Sequence, residues 1–256
     1  MPLSPRTAVV DSLYHPEAAI WFDHHNAPFV DGTARSGPMH VWDPNAPSCA
    51  GVIARHFSLE GRWRDLARWA YKIDSGQWDS PEETLDDDVP AVRIYISLLG
   101  PEFESFAVHL IERLLENGLE AAANDKVVVA RPSTAKRLLD AGMMHVRKQA
   151  HLRESVAMIE CEQGGPTPYV VPRYGAYLVF PDADYMLLNQ QQRDGWKVTL
   201  SRSPWRKKPG PDIGSMATAL DGGGHRDVCA INFRDREAAC VVAGTLLHRL
   251  LQDQRS

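Results

Sequence analysis

Two short apolar runs near the amino terminus each end in an aspartate. The first is Ala8–Asp11 and the second is Ala18–Asp23. Continuous apolar runs of this length are typical of parallel strands that are buried on both faces. Because ligands of open α/β sheets bind at the carboxyl ends of strands, the two runs predict buried parallel strands whose acids meet at a functional edge.

The rest of the chain alternates between helical and strand-like patterns. In the first half, Ser48 is expected to cap a helix that ends near Phe57, and a second helix is expected over Trp63–Ile73, before Asp74 and the turn Ser75-Gly76. An amphipathic pattern predicts a helix that Pro101 opens and Asn117-Gly118 stops, and a further helix is predicted over 133–153. Segments 26–47 and 79–88 are predicted loops, because the first is rich in glycine and proline and the second is acidic.

From about Val156 the pattern changes to short strands. The predicted strands are 156–159, 176–180, 185–188, 197–200 and 228–233, with helices at 211–220 and 236–251. The sequence therefore predicts an α/β protein with a mostly parallel, doubly wound sheet domain and a second, smaller mixed α/β domain. The expected domains are residues 1–118 and 151–256, joined by a helical linker at 119–150.

Composition excludes some classes of protein. The chain has 256 residues, is 44% hydrophobic and carries a formal net charge of −5, so no overall field attracts duplex DNA. Its four cysteines form no C-x-x-C pair, which favours reduced thiols. No apolar stretch approaches the ~18 residues needed to cross a bilayer, and no signal peptide is evident. We therefore expect a cytoplasmic protein without a membrane partner.

The tripeptide Asp23-His24-His25 follows the second apolar run. Imidazole and carboxylate together suit divalent metals such as Mn²⁺. Since neighbouring residues at a strand end diverge, one histidine can bind a metal while the other meets a substrate, and Asp23 can orient a histidine. A polar loop without function is the alternative.

Two further carboxylates extend this set. Asp11 ends the neighbouring strand, and Asp74 follows a predicted helix. Each taken alone also fits a cap or a turn. Together with the histidines they supply the oxygen and nitrogen ligands that a metal requires.

The second motif is Gly222-Gly223-Gly224-His225, between a predicted helix and a predicted strand. Three glycines let the backbone approach a ligand closely with its N–H groups exposed, which suits an anion, and His225 can donate to a phosphate oxygen. The alternative is a flexible hairpin. Nearby, Arg202 at a strand end is a candidate phosphate ligand and Trp205 a candidate for base stacking, whereas residues 206–208 fit a solvated basic loop.

These residues together resemble the DHH phosphoesterase superfamily, which includes oligoribonucleases, cyclic-dinucleotide phosphodiesterases and exopolyphosphatases. Segment Trp21–His25 is similar to the family's signature motif. Segment Gly222–His225 is similar to the signature of the carboxyl-terminal DHH-associated domain. The two motifs occur in the family's order, and the resemblance covers nearly the whole chain from Val9.

The resemblance implies a role for each residue. Asp11, His24 and Asp74 would be metal ligands, with Asp11 bridging two ions, and His25 and Asp23 would be catalytic. The glycines, His225 and Arg202 would bind the phosphate or terminal nucleotide of the substrate. The implied cofactor is Mn²⁺, or Mg²⁺ or Co²⁺, with two ions expected in the family.

The sequence departs from the family at its amino terminus. The family's first motif contributes a histidine and closely spaced aspartates upstream, but the ten residues before Asp11 contain neither. The look-alike Asp182-Ala183-Asp184 is interpreted as a loop or helix start. The first domain is therefore expected to be incomplete, and the second metal site is doubtful. A start upstream of this Met, a natural metal-poor relative, and completion by a partner chain or altered strand order remain open.

The function predicted from the sequence is a metal-dependent phosphoesterase that hydrolyses short oligonucleotides, dinucleotides or related phosphate compounds. The alternative is a non-catalytic relative that binds nucleotide or phosphate. The expected partners are a small phosphate ester or a short single strand, and a homodimer is possible.

Overall fold

The computed structural model describes residues 6–25, 38–99, 103–162, 169–206 and 208–253. The chain divides into two compact units, Met1–Gln77 and Trp78–Ser256. This division falls earlier than the predicted linker at 119–150, whose role as a boundary between folding domains stays a prediction.

Within the described residues, the first unit contains a three-stranded parallel sheet. Its strands are β1 (Ala8–Val10), β2 (Ile20–Asp23) and β3 (His40–Trp42), in that order across the sheet. The two predicted strands and their parallel pairing are confirmed. The third strand lies inside the segment predicted as a loop, of which residues 26–37 are outside the described part of the chain. A run of three residues with a single valine is too short to give a periodic signal.

The prediction that both amino-terminal strands are buried is wrong for β1. On β2, Trp21 and Phe22 are each 1% exposed, whereas Val10 on β1 is 48% exposed. In the described sheet β1 is an edge strand with β2 as its neighbour. An edge strand has one side uncovered, and the apolar run of β1 gave no sign of this position.

Two helices complete the first unit, α1 (Cys49–His56) and α2 (Arg62–Ser75). As predicted, the Ser48 side chain caps α1 by accepting a hydrogen bond from the backbone N of Gly51. Helix α2 ends at Gly76, whose φ of 69° provides the left-handed conformation that a helix end of this type needs. Asp74 therefore lies in the last turn of α2 rather than in the turn after it.

The second unit begins with a helical layer. A short 3₁₀ turn (Glu82–Leu85) interrupts the predicted acidic loop. The helices that follow are α3 (Pro90–Ser97), α4 (Phe103–Ala123), α5 (Lys126–Ala130) and α6 (Pro132–Gln149). The predicted stop at Gly118 is a break inside α4, with φ 78° and ψ −177°.

The remainder of the second unit forms, in its described part, a six-stranded mixed sheet in the order β4-β5-β6-β7-β9-β8. Its strands are β4 (His151–Arg153), β5 (Val156–Cys161), β6 (Tyr185–Gln192), β7 (Gly195–Arg202), β8 (Gly223–His225) and β9 (Val228–Phe233). Strands β5 and β6 are parallel and the other pairs are antiparallel. Helices α7 (Gly175–Val179), α8 (Ile213–Thr218) and α9 (Arg236–Asp253) accompany it.

Two predictions in this unit are wrong. The run at 176–180, predicted as a strand, lies mostly in helix α7, because a short apolar run fits a buried helix as well as a strand. The helix predicted over 133–153 ends at Gln149, and its last residues form β4 instead. The other predicted strands and helices are confirmed to within a few residues.

The larger apolar cluster of the second unit lies on one face of its sheet. Buried strand side chains pack there against α8 and α9, among them Leu187, Val198, Leu200 and Ile231. The architecture confirms the predicted α/β class, with one parallel and one mixed sheet. In the described part of the chain, the helices are too short or too polar to cross a membrane.

Candidate functional site

The first unit brings four predicted site residues together at the carboxyl edge of its sheet. Asp11 follows β1, His24 and His25 follow β2, and Asp74 comes from the end of α2. The Nε2 atom of His24 lies 3.3 Å from Asp11 Oδ1 and 3.3 Å from Asp74 Oδ2. Parallel strands produce this meeting, because their carboxyl ends reach the same edge.

Asp11 holds its position in an unfavourable backbone conformation. Its φ is 56°, in the left-handed region that few residues other than glycine adopt. Its backbone N donates a hydrogen bond to Phe22 O at 3.0 Å, which continues the pairing of β1 with β2 for one more residue. The chain then turns away, and the carboxylate is left beside His24. Such local strain is often found at functional sites.

The tautomer of His24 is fixed by a backbone carbonyl. The side chain is 4% exposed, and Nδ1 lies 3.0 Å from Ala46 O. A carbonyl oxygen only accepts, so Nδ1 carries the proton and donates. In the neutral ring, Nε2 then has a lone pair that faces two carboxylates. This arrangement is repulsive unless a cation or a proton lies between these atoms.

His25 is held by its neighbour Asp23. Its Nδ1 lies 2.7 Å from Asp23 Oδ1, and Asp23 is fully buried. The hydrogen bond to Asp23 raises the pKa of His25 above its ordinary value of 6.5, with smaller contributions from the charges of Asp11 and Asp74, while partial burial opposes the shift.

The chemistry of this cluster fits a divalent metal ion. Asp23 Oδ2 is buried and has no hydrogen-bond partner among the described residues, which leaves a carboxylate oxygen without compensation. Ligand atoms of Asp11, Asp23 and His25 all lie within 4.8 Å of one another. Carboxylate oxygens and imidazole nitrogens of this kind suit Mn²⁺ and related ions.

The Gly222–His225 motif lies in the second unit, at the end of α8 and along β8. Its glycines differ. A Cβ at Gly222 would collide with Ile231, and one at Gly224, whose φ is 154°, would collide with the backbone of Val228 and Cys229. At Gly223, no atom of the described residues lies within 4 Å of an added Cβ. Two of the glycines therefore satisfy the packing of the protein, and the third leaves open space.

Arg202, the other predicted phosphate ligand, makes several contacts within the protein. Its Nε lies 3.1 Å from Asp227 Oδ1, and its two terminal nitrogens donate to the carbonyl oxygens of Lys208 and Pro211. The guanidinium also lies over the Tyr185 ring. These contacts support a structural role, and its predicted role in substrate binding stays a prediction.

The basic residues after Arg202 were predicted to lie in a solvated loop, but two of them form ion pairs with a carboxylate. Arg206 Nε lies 2.7 Å and Lys208 Nζ 2.9 Å from the two carboxylate oxygens of Asp184, and Arg206 also reaches Asp182. The look-alike Asp182–Asp184 lies in a loop, as predicted, and acts as a structural anchor. Trp205 contacts the rings of Tyr174 and Tyr177 edge to face and donates to a backbone carbonyl, which limits stacking on a base. Lys207 lies outside the described residues.

One part of the cluster could not be found by sequence reasoning. The Ala46 carbonyl that orients His24 is a backbone group, and an alanine in a proline-rich loop gives no sign of this contact. The fully buried position of Asp23 is also a tertiary feature, although the apolar run before it was a local indication.

Comparison with known proteins supports the fold. No family model matches the chain, and a search of curated proteins gave no significant match. A pGpG-specific phosphodiesterase, PggH of Vibrio cholerae, is similar in structure with a TM-score of 0.69 at 19% sequence identity, over 99% of this chain and 86% of that one. An exopolyphosphatase-related protein of Bacteroides fragilis gives a TM-score of 0.43 at 14% identity, over 90% of this chain and 63% of that one.

The similarity to the phosphodiesterase extends over both sheets of this chain. The Asp23-His24-His25 and Gly222–His225 motifs occur on these two sheets in the order expected from the sequence. The chain therefore shares the fold of this phosphodiesterase.

Proposed function

We propose that this chain is a divalent-metal-dependent phosphoesterase that hydrolyses dinucleotides or other short oligonucleotides. The observation that carries the proposal is the position of His24. Its Nε2 lone pair is directed at Asp11 and Asp74 by the hydrogen bond between Nδ1 and the Ala46 carbonyl. Two carboxylate oxygens, each 3.3 Å from one imidazole nitrogen, form a ligand set that is repulsive unless a cation or a proton lies between these atoms.

Asp11, His24 and Asp74 would hold the ion, with Mn²⁺ as the first candidate. When bound, such an ion stabilises negative charge on phosphoryl oxygens and activates water for hydrolysis. Asp11 and Asp74 are suited to ion entry because their side chains are 54% and 44% exposed. His24 is almost fully buried and fixes the inner side of the site.

His25 would contact the substrate. The hydrogen bond to Asp23 raises the pKa of His25, and in the protonated ring Nε2 can donate to a phosphoryl oxygen. Asp23 keeps the ring in one orientation through the 2.7 Å hydrogen bond to Nδ1. We propose that His25 is the catalytic group and that Asp23 supports it.

The second unit would hold the substrate. Gly223 leaves open space on β8, and His225 lies on the same strand. A short substrate is favoured over duplex DNA because the net charge of −5 offers no general attraction to a polyanion. The similar phosphodiesterase acts on pGpG, so a 5′-phosphorylated dinucleotide is the first substrate to test.

The test combines metal binding with hydrolysis. Purified chain is titrated with Mn²⁺ by calorimetry, and hydrolysis of pGpG is followed by chromatography. We expect His24→Ala to weaken Mn²⁺ binding and to lower the hydrolysis rate by more than about 1,000-fold, since the ion contributes several kcal/mol to transition-state stabilisation. The matched control is His15→Ala, which removes a half-buried histidine of the same unit.

Unchanged turnover in His24→Ala would exclude the proposed metal site. The alternative function is binding of nucleotide or phosphate without hydrolysis. Tight binding of pGpG without hydrolysis in Mn²⁺ would support that alternative.

A further inference from the structure

The tryptophans of this chain differ in how much of the ring a ligand can reach. All seven lie in the described residues. Trp42, the last residue of β3, is 38% exposed, whereas the other six are buried or half-buried. An aromatic side chain that stacks on a nucleobase needs an accessible ring. Trp42 meets this requirement better than Trp205, for which the sequence suggested the same role.

The register of β2 and β3 places Trp42 on the same face of the first sheet as Asp23. The two residues are direct partners across the strands, so their side chains point to the same face. Phe22 and Val41, one position earlier, are also partners and belong to the apolar cluster that includes residues of α1. Trp42 therefore lies on the face opposite α1, at the edge of the sheet where the candidate metal ligands meet.

A hydrogen bond fixes the Trp42 ring beside the histidine that we propose to be catalytic. Its Nε1 donates to the backbone oxygen of His25 at 2.8 Å. Nε1 is the one polar atom of a tryptophan side chain, and it is a donor only. Since that donor is engaged by the protein, the side chain offers a ligand its apolar ring surface. A ring held in one orientation also loses little conformational entropy when a ligand packs on it.

The same face of the sheet carries aromatic side chains that support this position. The ring of Tyr14 lies 5.0 Å from that of Trp21 and 5.7 Å from that of His40, both edge to face. Trp21 is 1% exposed. His40 and Trp42 are two residues apart on β3 and share the face. The aromatic layer is thus buried at Trp21 and exposed at Trp42, next to the candidate metal site.

We infer that Trp42 is the stacking surface for a nucleobase of the substrate. The charged groups beside it are the carboxylates of Asp11, Asp23 and Asp74, which face His24 and His25. A nucleobase is flat and neutral, so it can cover the ring without adding charge next to these carboxylates. This inference rests on the proposed function and deepens it. It names nucleotides as the substrate class rather than inorganic polyphosphates, which have no ring to stack.

The experiment measures binding without turnover. The ligand is an analogue of pGpG in which a methylene group replaces the bridging O3′, so that hydrolysis at this bond is blocked. Its affinity for the full chain is measured by calorimetry in Mn²⁺. We expect Trp42→Leu to lower this affinity by about 5- to 100-fold, because the leucine removes the ring that the base stacks on. Trp42→Phe should lower it by about threefold at most, because a ring is retained.

The comparison of the two variants separates stacking from a structural role. Neither leucine nor phenylalanine can donate to the His25 oxygen, so loss of that hydrogen bond affects both variants alike. The matched control is Trp63→Leu, which removes a half-buried tryptophan of the same unit. Trp63 lies near the start of α2, about 16 Å along the helix from Asp74. Its replacement should leave the affinity unchanged.

Three results would overturn the inference: no binding of the analogue by wild type, unchanged affinity in Trp42→Leu, or equal losses in Trp42→Leu and Trp42→Phe. A failure of the proposed function has a different signature. If binding depends on the Trp42 ring but pGpG is not hydrolysed in Mn²⁺, the stacking role stands and the phosphoesterase proposal fails. If pGpG is hydrolysed with the same KM by wild type and Trp42→Leu, the phosphoesterase proposal stands and the stacking role fails.

Discussion

The two units of this protein differ in what they bury. At the sheet edge of the first unit, Asp23 is 0% and His24 is 3% exposed, next to a small apolar cluster that includes Phe22 and Val52. The second unit buries an extensive apolar layer between its sheet and the helices α8 and α9. Buried polar groups cost free energy unless they are paired, whereas buried apolar area stabilises the fold.

This difference indicates a division of tasks. The first unit places charged and polar side chains close together, with a strained backbone at Asp11 and an exposed edge strand β1. Such a region contributes chemistry at a cost in stability. The second unit has the larger apolar core. Stability and chemistry should therefore respond to different substitutions.

The largest expected effect on stability lies in the second unit. Leu200 is fully buried in the extensive core, and Leu200→Ala should lower the free energy of unfolding by about 3 kcal/mol through lost apolar contact and a cavity. In the first unit, Val52→Ala removes less apolar volume from a smaller cluster and should cost about 2 kcal/mol. Urea denaturation, with hydrogen exchange resolved by peptide, measures both.

Comparable losses at Leu200 and Val52, or a larger loss at Val52, would contradict the contrast between the two cores. A further check is the retention of Mn²⁺ affinity by folded Leu200→Ala protein. The metal ligands proposed here all belong to the other unit.

The next effect concerns chemistry in the first unit. Asp23→Asn should lower Mn²⁺ affinity or turnover by about 10- to 100-fold. A carboxylate can only accept a hydrogen bond from His25 Nδ1, whereas an amide can accept or donate, so the His25 ring loses its fixed orientation. Metal titration and steady-state kinetics measure the change. The matched control is Asp43→Asn, which alters an ion pair with the exposed Arg55 in the same unit. Equal effects of the two substitutions would show that Asp23 has no special role.

The smallest expected effect is at the anchor of the basic segment in the second unit. Asp184→Asn should lower the free energy of unfolding by about 1 kcal/mol, because it weakens hydrogen bonds from Arg206 and Lys208, the latter largely exposed. Burial raises the pKa of Asp184, but the hydrogen bonds from Lys208 and Arg206 outweigh it and hold the pKa below its usual 3.8.

The pH dependence of this difference follows from the direction of the shift. A lowered carboxyl pKa stabilises the folded protein above the unfolded value of 3.8, and this contribution is lost as the pH falls through the lower folded value. Wild type and Asp184→Asn should therefore differ in stability at neutral pH and converge below about pH 4. A constant difference across this range would mean that the ion pairs do not contribute.

Much of the fold could be predicted where the signal was local. Ser48 and Gly76 mark the start of α1 and the end of α2, since capping depends on residues within one turn. Alternating or continuous apolar patterns located β6, β7 and β9. The prediction failed at β3, which has only three residues, and at α7, whose apolar run fits either type of element.

The sequence by itself determined the chemical groups of the candidate site: the aspartates and histidines at strand ends and the three glycines before His225. These are local features, because residue type and the end of an apolar run can be read within a few positions. Only the tertiary structure decided that Asp11 and Asp74 meet at His24 Nε2, and that the Ala46 carbonyl sets its tautomer. It also decided that Gly223 has open space where Gly222 and Gly224 do not. Those distinctions depend on atoms far apart in the chain, whose positions follow from sheet register and helix packing.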